Sequence, residues 1–243
     1  TTAAGTVVQA GGALQLQGGI SVGAETLSLS GSGSGLTNTG ALRNISGDNT
    51  YGGVITFAAA STIDSDAGTL TLSNNIGGNQ AKTFGGAGAI IASGTVSGSG
   101  GVTKTEAGTL TRSGSNTYAG ATTISAGVLR AANNTALGAT ANGVSVTSGA
   151  ALELSGGIAI GAQALTLNGS GISTGGALRN VSGTNSYAGV ITLGAASRIN
   201  SRVSPVGTGA EESAAGMVNR ESWRARDDSN VRPLPSEGST LSS

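Results

Sequence analysis

Large aliphatic residues alternate with small polar ones in short runs that glycine closes. In Leu14-Gln-Leu-Gln17, Leu27-Ser-Leu-Ser30, Leu152-Glu-Leu-Ser155 and Leu165-Thr-Leu-Asn168, every second residue is leucine. A period of two places alternate side chains on opposite faces of a strand. These runs therefore predict short strands with one buried and one wet face. No stretch shows a helical period or a helix cap followed by an apolar stripe. Without crossover helices, α/β folds are disfavoured.

The pattern is also duplicated. Gly11–Gly31 reappears as Gly149–Gly169 at an offset of 138, and Gly40-Ala-Leu-Arg-Asn-Ile-Ser-Gly47 reappears as Gly176–Gly183 at an offset of 136. Leu14, Leu16, Ile20, Val22, Leu27 and Leu29 match Leu152, Leu154, Ile158, Ile160, Leu165 and Leu167, all large and aliphatic. The alternate positions drift, as Gln15 to Glu153 and Ser30 to Asn168. This predicts burial of Leu14, Leu16, Leu27, Leu29, Leu110, Leu152, Leu154, Leu165 and Leu167, with Gln15, Gln17, Ser28, Glu153 and Thr166 exposed. Asn49-Thr-Tyr51, Asn116-Thr-Tyr118 and Asn185-Ser-Tyr187 share a further pattern, and their tyrosines are almost evenly spaced along the chain. Coils of about 22 to 23 residues, within the usual solenoid range, would fit three to each interval. The tyrosines would then lie along one side of a rod, about 14 Å apart at the spacing of stacked strands.

Composition narrows the architecture. The chain has 44 glycines, no cysteine, no histidine and 2% aromatics. A sandwich or propeller usually needs more large aromatics, whereas a thin solenoid core fills with stacked Leu, Ile, Val and Ala. The expected fold is all-β: a single parallel β-solenoid over residues 1–201, ordered from about residue 5, with roughly nine coils and a length near ~40 Å. The general preference of crossovers points to a right-handed winding. The repeat loses its match after Ser201. Residues 202–243 hold all three prolines, the only Trp and the only Met. They are expected to be a non-repeat, mostly disordered C-terminal tail. Arg220–Ser236 looks like a reading frame that has run into other DNA; a natural linker or a short capping helix over about 211–226 is the alternative. The chain starts at Thr1 without a signal peptide and reads as an interior piece of something longer.

The same composition leaves little for chemistry. Without His or Cys there is no Ser-His-Asp or Cys-His arrangement, and no histidine or thiolate metal site. No catalytic, cofactor-binding or metal-binding residue is assigned, and no cofactor. Zero net charge and scarce aromatics give nucleic acid nothing to bind. No run of about 18 apolar residues could span a membrane as a helix. Asp64 and Asp66 would share one face of a strand, the only carboxylate pair of interest for acid–base work; the solvated reading is the stronger. Arg43 and Arg179 occupy the same repeat position and are expected to cover apolar surface and pair with a neighbour, although anionic sugar is a conceivable ligand. The Asn-x-Tyr motif reads as a corner: Asn tolerates a left-handed turn, and Tyr covers it.

Gly100–Arg130, which contains Gly100-Gly-Val-Thr-Lys104, Gly108-Thr-Leu-Thr-Arg112, Asn116-Thr-Tyr-Ala-Gly120 and Gly127-Val-Leu129, resembles the autotransporter-associated β-strand repeat. That family reads G-G-V-x-K-x-G-x-G-T-L-x-L-x-G-x-N-x-Y-x-G-x-T-x-I-x-x-G-x-L. Glu106 stands where Gly is usual and Arg112 where Leu is usual. Arg112 puts a charge at an inward position, to be met by snorkelling or local distortion. The resemblance implies a right-handed solenoid outside a Gram-negative cell. It implies a non-enzymatic structural or adhesive passenger segment whose rod supports export-coupled folding. An outer-membrane translocator barrel in the full-length protein and an unknown host or cell-surface ligand are the implied partners. The alternative is a carbohydrate-active β-helix enzyme, a polysaccharide lyase or hydrolase.

Overall fold

The computed structural model describes residues 5–33 and 40–201. The expectations for residues 202–243 lie outside them. Over the described residues the chain is a β-solenoid of about nine turns. A twelve-stranded sheet follows a path of nine strands from Thr6–Val8 through Ile55–Ser65 and Val102–Lys104 to Ile191–Leu193, with three further strands pairing off that path. A second sheet, of nine strands, runs from Ser21–Val22 through Thr109–Arg112 to Ile199–Ser201. Most strands pair in parallel with a strand of the coil before and one of the coil after, as Ala89–Ala92 does with Thr69–Leu72 and Thr109–Arg112. Among the described residues the only helical element is a single 3₁₀ turn at Ile172–Thr174.

The alternating pattern becomes columns. Leu70, Ile90, Leu110, Leu129, Leu152 and Leu178 are register partners from coil to coil and are buried. A fully buried leucine contributes roughly 1.5–3 kcal/mol through removal of apolar surface from water. Each coil obtains that burial only from its two neighbours. Of the leucines expected inside, all but Leu14 are buried. Leu14 is half-buried because its strand, Leu14–Gln17, pairs only on the following side, with Leu42–Ser46. Gln15 and Gln17 are exposed, while Ser28 and Thr166 are half-buried by outer-face partners such as Thr56 and Ser145. Glu153 departs from expectation and is buried.

The tyrosines also depart. Tyr51 pairs with Val22 and Leu72 in the second sheet. Three coil steps from Tyr51 lead through Leu72 and Ala92 to Arg112, not to Tyr118. Ile63, Phe84, Lys104 and Ile124 are successive partners, so the central coils are shorter than the tyrosine spacing suggested. Three such coils fall short of the interval, and Tyr118 lies past the end of the strand Thr109–Arg112. Tyr51 and Tyr118 therefore occupy different sides of the rod.

Candidate functional site

The polar residues that break the apolar columns lie in three places: the Asn-x-Tyr motifs, the outer face of the second sheet, and the core itself.

The Asn of each Asn-x-Tyr motif ties its coil to the one before. Asn116 Oδ1 accepts the Val96 N–H at 2.8 Å, and Asn116 Nδ2 donates to Gly114 O at 2.9 Å and to Ala136 O of the following coil at 3.2 Å. Asn49 and Asn185 accept the Ile20 and Ile158 N–H groups, each at 2.7 Å. All three asparagines are buried. Only Asn116-Thr-Tyr118 lies outside the strands; Asn49–Tyr51 and Ser186–Tyr187 are strand residues, and none of the three asparagines takes the left-handed conformation expected of a corner. The shared work of the motif is hydrogen bonding between coils. Tyr118 Oη shares a hydrogen bond with Thr122 Oγ1 at 2.6 Å.

On the outer face, charges stack across coils. Glu153 is the register partner of Arg130 and of Arg179. It accepts from Arg130 Nε at 2.8 Å, and Arg179 Nη2 lies 3.2 Å from its other oxygen. This sandwich is why a residue on the outward side of its strand is buried. Arg43, the equivalent of Arg179, donates through Nε to Asp66 at 2.9 Å. Both repeated arginines thus pair with carboxylates. Beside Arg179 lies a groove of about 450 Å³ lined by Glu153, Ser173, Asn180 and Asn200 among others.

Asp64 and Asp66 are not a matched solvated pair. Asp66 is held by Arg43, whereas Asp64 is buried and its Oδ1 has no hydrogen-bond partner among the described residues. Gly86 carries no side chain beside it; a Cβ there would stand 2.2 Å from Asp64 Oδ1. Burial, then the nearby charges of Glu106 and Asp66, push the Asp64 carboxyl up to about 7. Glu106 adopts a left-handed conformation, φ 60°, where the repeat usually has Gly, and its Oε2 accepts the Gly86 N–H at 3.1 Å. That hydrogen bond helps offset a backbone state costly for a residue with a Cβ.

Two lysines and one arginine point into the core. Lys82 Nζ donates to Gly78 O at 2.6 Å and Gln80 O at 3.1 Å. Lys104 Nζ donates to Thr105 O and, at 2.8 Å, to Glu106 O. Each staples a turn of its own coil from inside, and burial lowers the Lys104 pKa to about 8. Arg112 neither snorkels nor distorts its coil. It is fully buried and in unbroken register with Ala92 and Ala131, whose small side chains leave room for it. Its guanidinium carbon lies 5.1 Å from the Tyr118 ring centre, a cation–π contact. None of its three side-chain nitrogens has a hydrogen-bond partner among the described residues.

Among the described residues no group of three or more acidic, His or Cys side chains could hold a metal ion, and no helix is long and apolar enough to cross a membrane. Residues 102–131 match the family model of the passenger-associated-transport-repeat. The match begins at Val102 and takes in Lys104, Asn116 and Tyr118, which form the turn staple and the inter-coil bonds described above. No curated protein and no solved structure matches the chain.

Proposed function

The chain carries a repeat of the autotransporter passenger family, and from that premise we propose that it is a surface-exposed, non-enzymatic segment of a passenger, displayed outside a Gram-negative cell and delivered through the outer-membrane barrel of the full-length protein. Its role is physical: a rigid rod that holds other parts of the passenger away from the cell or presents an adhesive face. The observation that carries this reading is the chain of inter-coil bonds such as Asn116 to Val96. Each coil takes its apolar contacts and its inter-coil polar partners from the two adjacent coils, so one set of them is available as soon as a single neighbour is in place. Folding can therefore advance one coil at a time as chain emerges, and that advance resists backsliding. Asp64, the carboxyl poised near neutrality, is sealed beneath the surface, an unsuitable position for a group that must reach a saccharide.

The test is to fuse the chain to an outer-membrane translocator barrel and follow surface display by pulse-labelling and external protease. The reading expects protease-resistant display and slower display of Asn116→Ala. Equal display rates for the wild type and this variant would contradict the folding-coupled role. Turnover of acidic polysaccharide that Asp64→Asn abolishes would favour the enzyme instead.

A further inference from the structure

Two carboxylates from different coils converge beside a pair of glycines in the interior of the rod. Asp64, near the end of the strand Ile55–Ser65, is the register partner of Gly85, and the strand Lys82–Gly85 pairs in turn with Val102–Lys104. A Cβ on Gly85 would lie 3.0 Å from Thr105 Oγ1, 3.2 Å from Glu106 Oε1 and 3.5 Å from Asp64 Oδ2. Oxygens of the coil before and of the coil after therefore surround the place that Gly85 leaves without a side chain. Gly86 extends that place, because a Cβ there would meet Asp64 Oδ1. Described coils lie on both sides, so the arrangement does not depend on where the described residues end.

Asp64 is 1% exposed, and its Oδ1 finds no hydrogen-bond partner among the described residues. A buried carboxylate without partners is costly, and a second carboxylate beside it adds repulsion. The nearby cations are engaged elsewhere. Arg43 turns its guanidinium to Asp66, and Lys104 gives its ammonium to the Thr105 and Glu106 carbonyls. Glu106 holds its carboxylate here from a left-handed backbone, φ 60°, with Oε2 on the Gly86 N–H and Oε1 turned toward Gly85. Backbone strain of this kind gathers where a ligand is clamped. Glu106 is exposed, which leaves an entry for a bare ion although not for a saccharide.

We propose that this niche binds a calcium ion between Asp64 and Glu106. Every donor that faces it is an oxygen: the two carboxylates and the Thr105 hydroxyl. Oxygen sets without nitrogen or sulfur suit the hard cations. Donors at unequal distances suit calcium, which takes about six to eight oxygens in flexible geometry, whereas magnesium demands a near-ideal octahedron. Two carboxylates and a hydroxyl are fewer ligands than that, and water completes the shell on the exposed Glu106 side. The ion pins three successive coils together, since Asp64 and Glu106 stand on either side of the coil that carries Gly85. This site does not depend on the passenger reading.

Calorimetric titration of calcium chloride into the full chain, freed of metal by chelation and held in weakly alkaline buffer, tests it. The wild type is expected to bind calcium at this site with a dissociation constant of about 10⁻⁴–10⁻³ M, and its urea unfolding midpoint to rise as calcium is added. Asp64→Asn and Glu106→Gln keep the shapes of the side chains and should each bind at least about tenfold more weakly. Glu106→Gly restores the residue usual in the repeat and relieves the left-handed strain, so it should fold, yet its midpoint should not respond to calcium. A wild type whose heat and midpoint ignore calcium would overturn the proposal. So would variants that respond as the wild type does, because the ion would then sit on other acidic side chains.

Discussion

The side-chain oxygen of Asn116 accepts the backbone N–H of Val96, one coil below, at 2.8 Å. The bond replaces a strand-to-strand bond at a corner where the chain must turn out of the sheet. A buried N–H left without a partner costs about 1–3 kcal/mol. Asn116 Nδ2 also satisfies carbonyls of its own coil and of the next. Asn116→Ala is therefore expected to destabilise the rod by about 2–4 kcal/mol, and Ser115→Ala, at an exposed neighbour, by much less. Urea unfolding midpoints compare the two; equal midpoints would remove the corner from the account.

Arg112 makes the opposite prediction. Its charge is buried without hydrogen bonds, and its cation–π contact with Tyr118 is a small return for that desolvation. Arg112→Leu restores the apolar residue usual at this place in the repeat, between Ala92 and Ala131. It is expected to stabilise the rod by about 1–4 kcal/mol. A lower unfolding midpoint for this variant would mean that the guanidinium holds a structural role its contacts do not reveal.

Stability should vary with pH through Asp64. Its folded pKa of about 7 exceeds the ordinary 3.8, so the folded chain keeps a proton that the unfolded chain releases. The resulting stabilisation is fully present below about pH 4 and is lost as pH rises toward 7. Lys104 acts in the other sense higher up. Its folded pKa of about 8 lies below the ordinary 10.5, so its contribution recovers as pH climbs between those values. Asp64→Asn mimics the protonated acid and should flatten the fall between pH 4 and 7. Unfolding midpoints measured across that range decide it, and parallel profiles for wild type and variant would contradict the assignment.

Glu153 separates Arg130 from Arg179. Glu153→Ala would leave two guanidinium groups facing each other across a coil. Because both arginines reach solvent, the expected loss is only about 1–3 kcal/mol, and added salt should reduce it. A loss that salt does not change would point to packing rather than charge.

What could be read in advance followed from local periodicity. Alternation within Leu27–Ser30 or Leu165–Asn168 identifies strands because the in–out period belongs to a single strand, and the long internal repeat identifies stacking. Features that arise between coils were not legible. Glu153 looks outward in its own strand; only Arg130 of the coil before and Arg179 of the coil after bury it. Coils also differ in length, the step from Leu167 to Leu193 being longer than that from Phe84 to Lys104, which defeats a sub-period inferred from tyrosines alone. The Asn-x-Tyr motif was visible, but its partner lies in another coil. The burial of Asp64 depends on the absence of a side chain at Gly86, whose neighbour in space cannot be seen from one coil.

The stacked parallel register is the claim on which all of this rests, and pairwise distances measure it most directly. Thr62, Thr83, Thr103, Thr123, Ser145, Thr166 and Thr192 are successive outer-face partners of the first sheet. Because the chain has no cysteine, Cys pairs placed on this column take spin labels uniquely. Pulsed electron–electron resonance should give separations that grow by about 4.8 Å per coil, from about 14 Å for Thr62→Cys with Thr123→Cys to about 29 Å for Thr62→Cys with Thr192→Cys. Distances that do not scale with the number of intervening coils would contradict the solenoid and everything built on it.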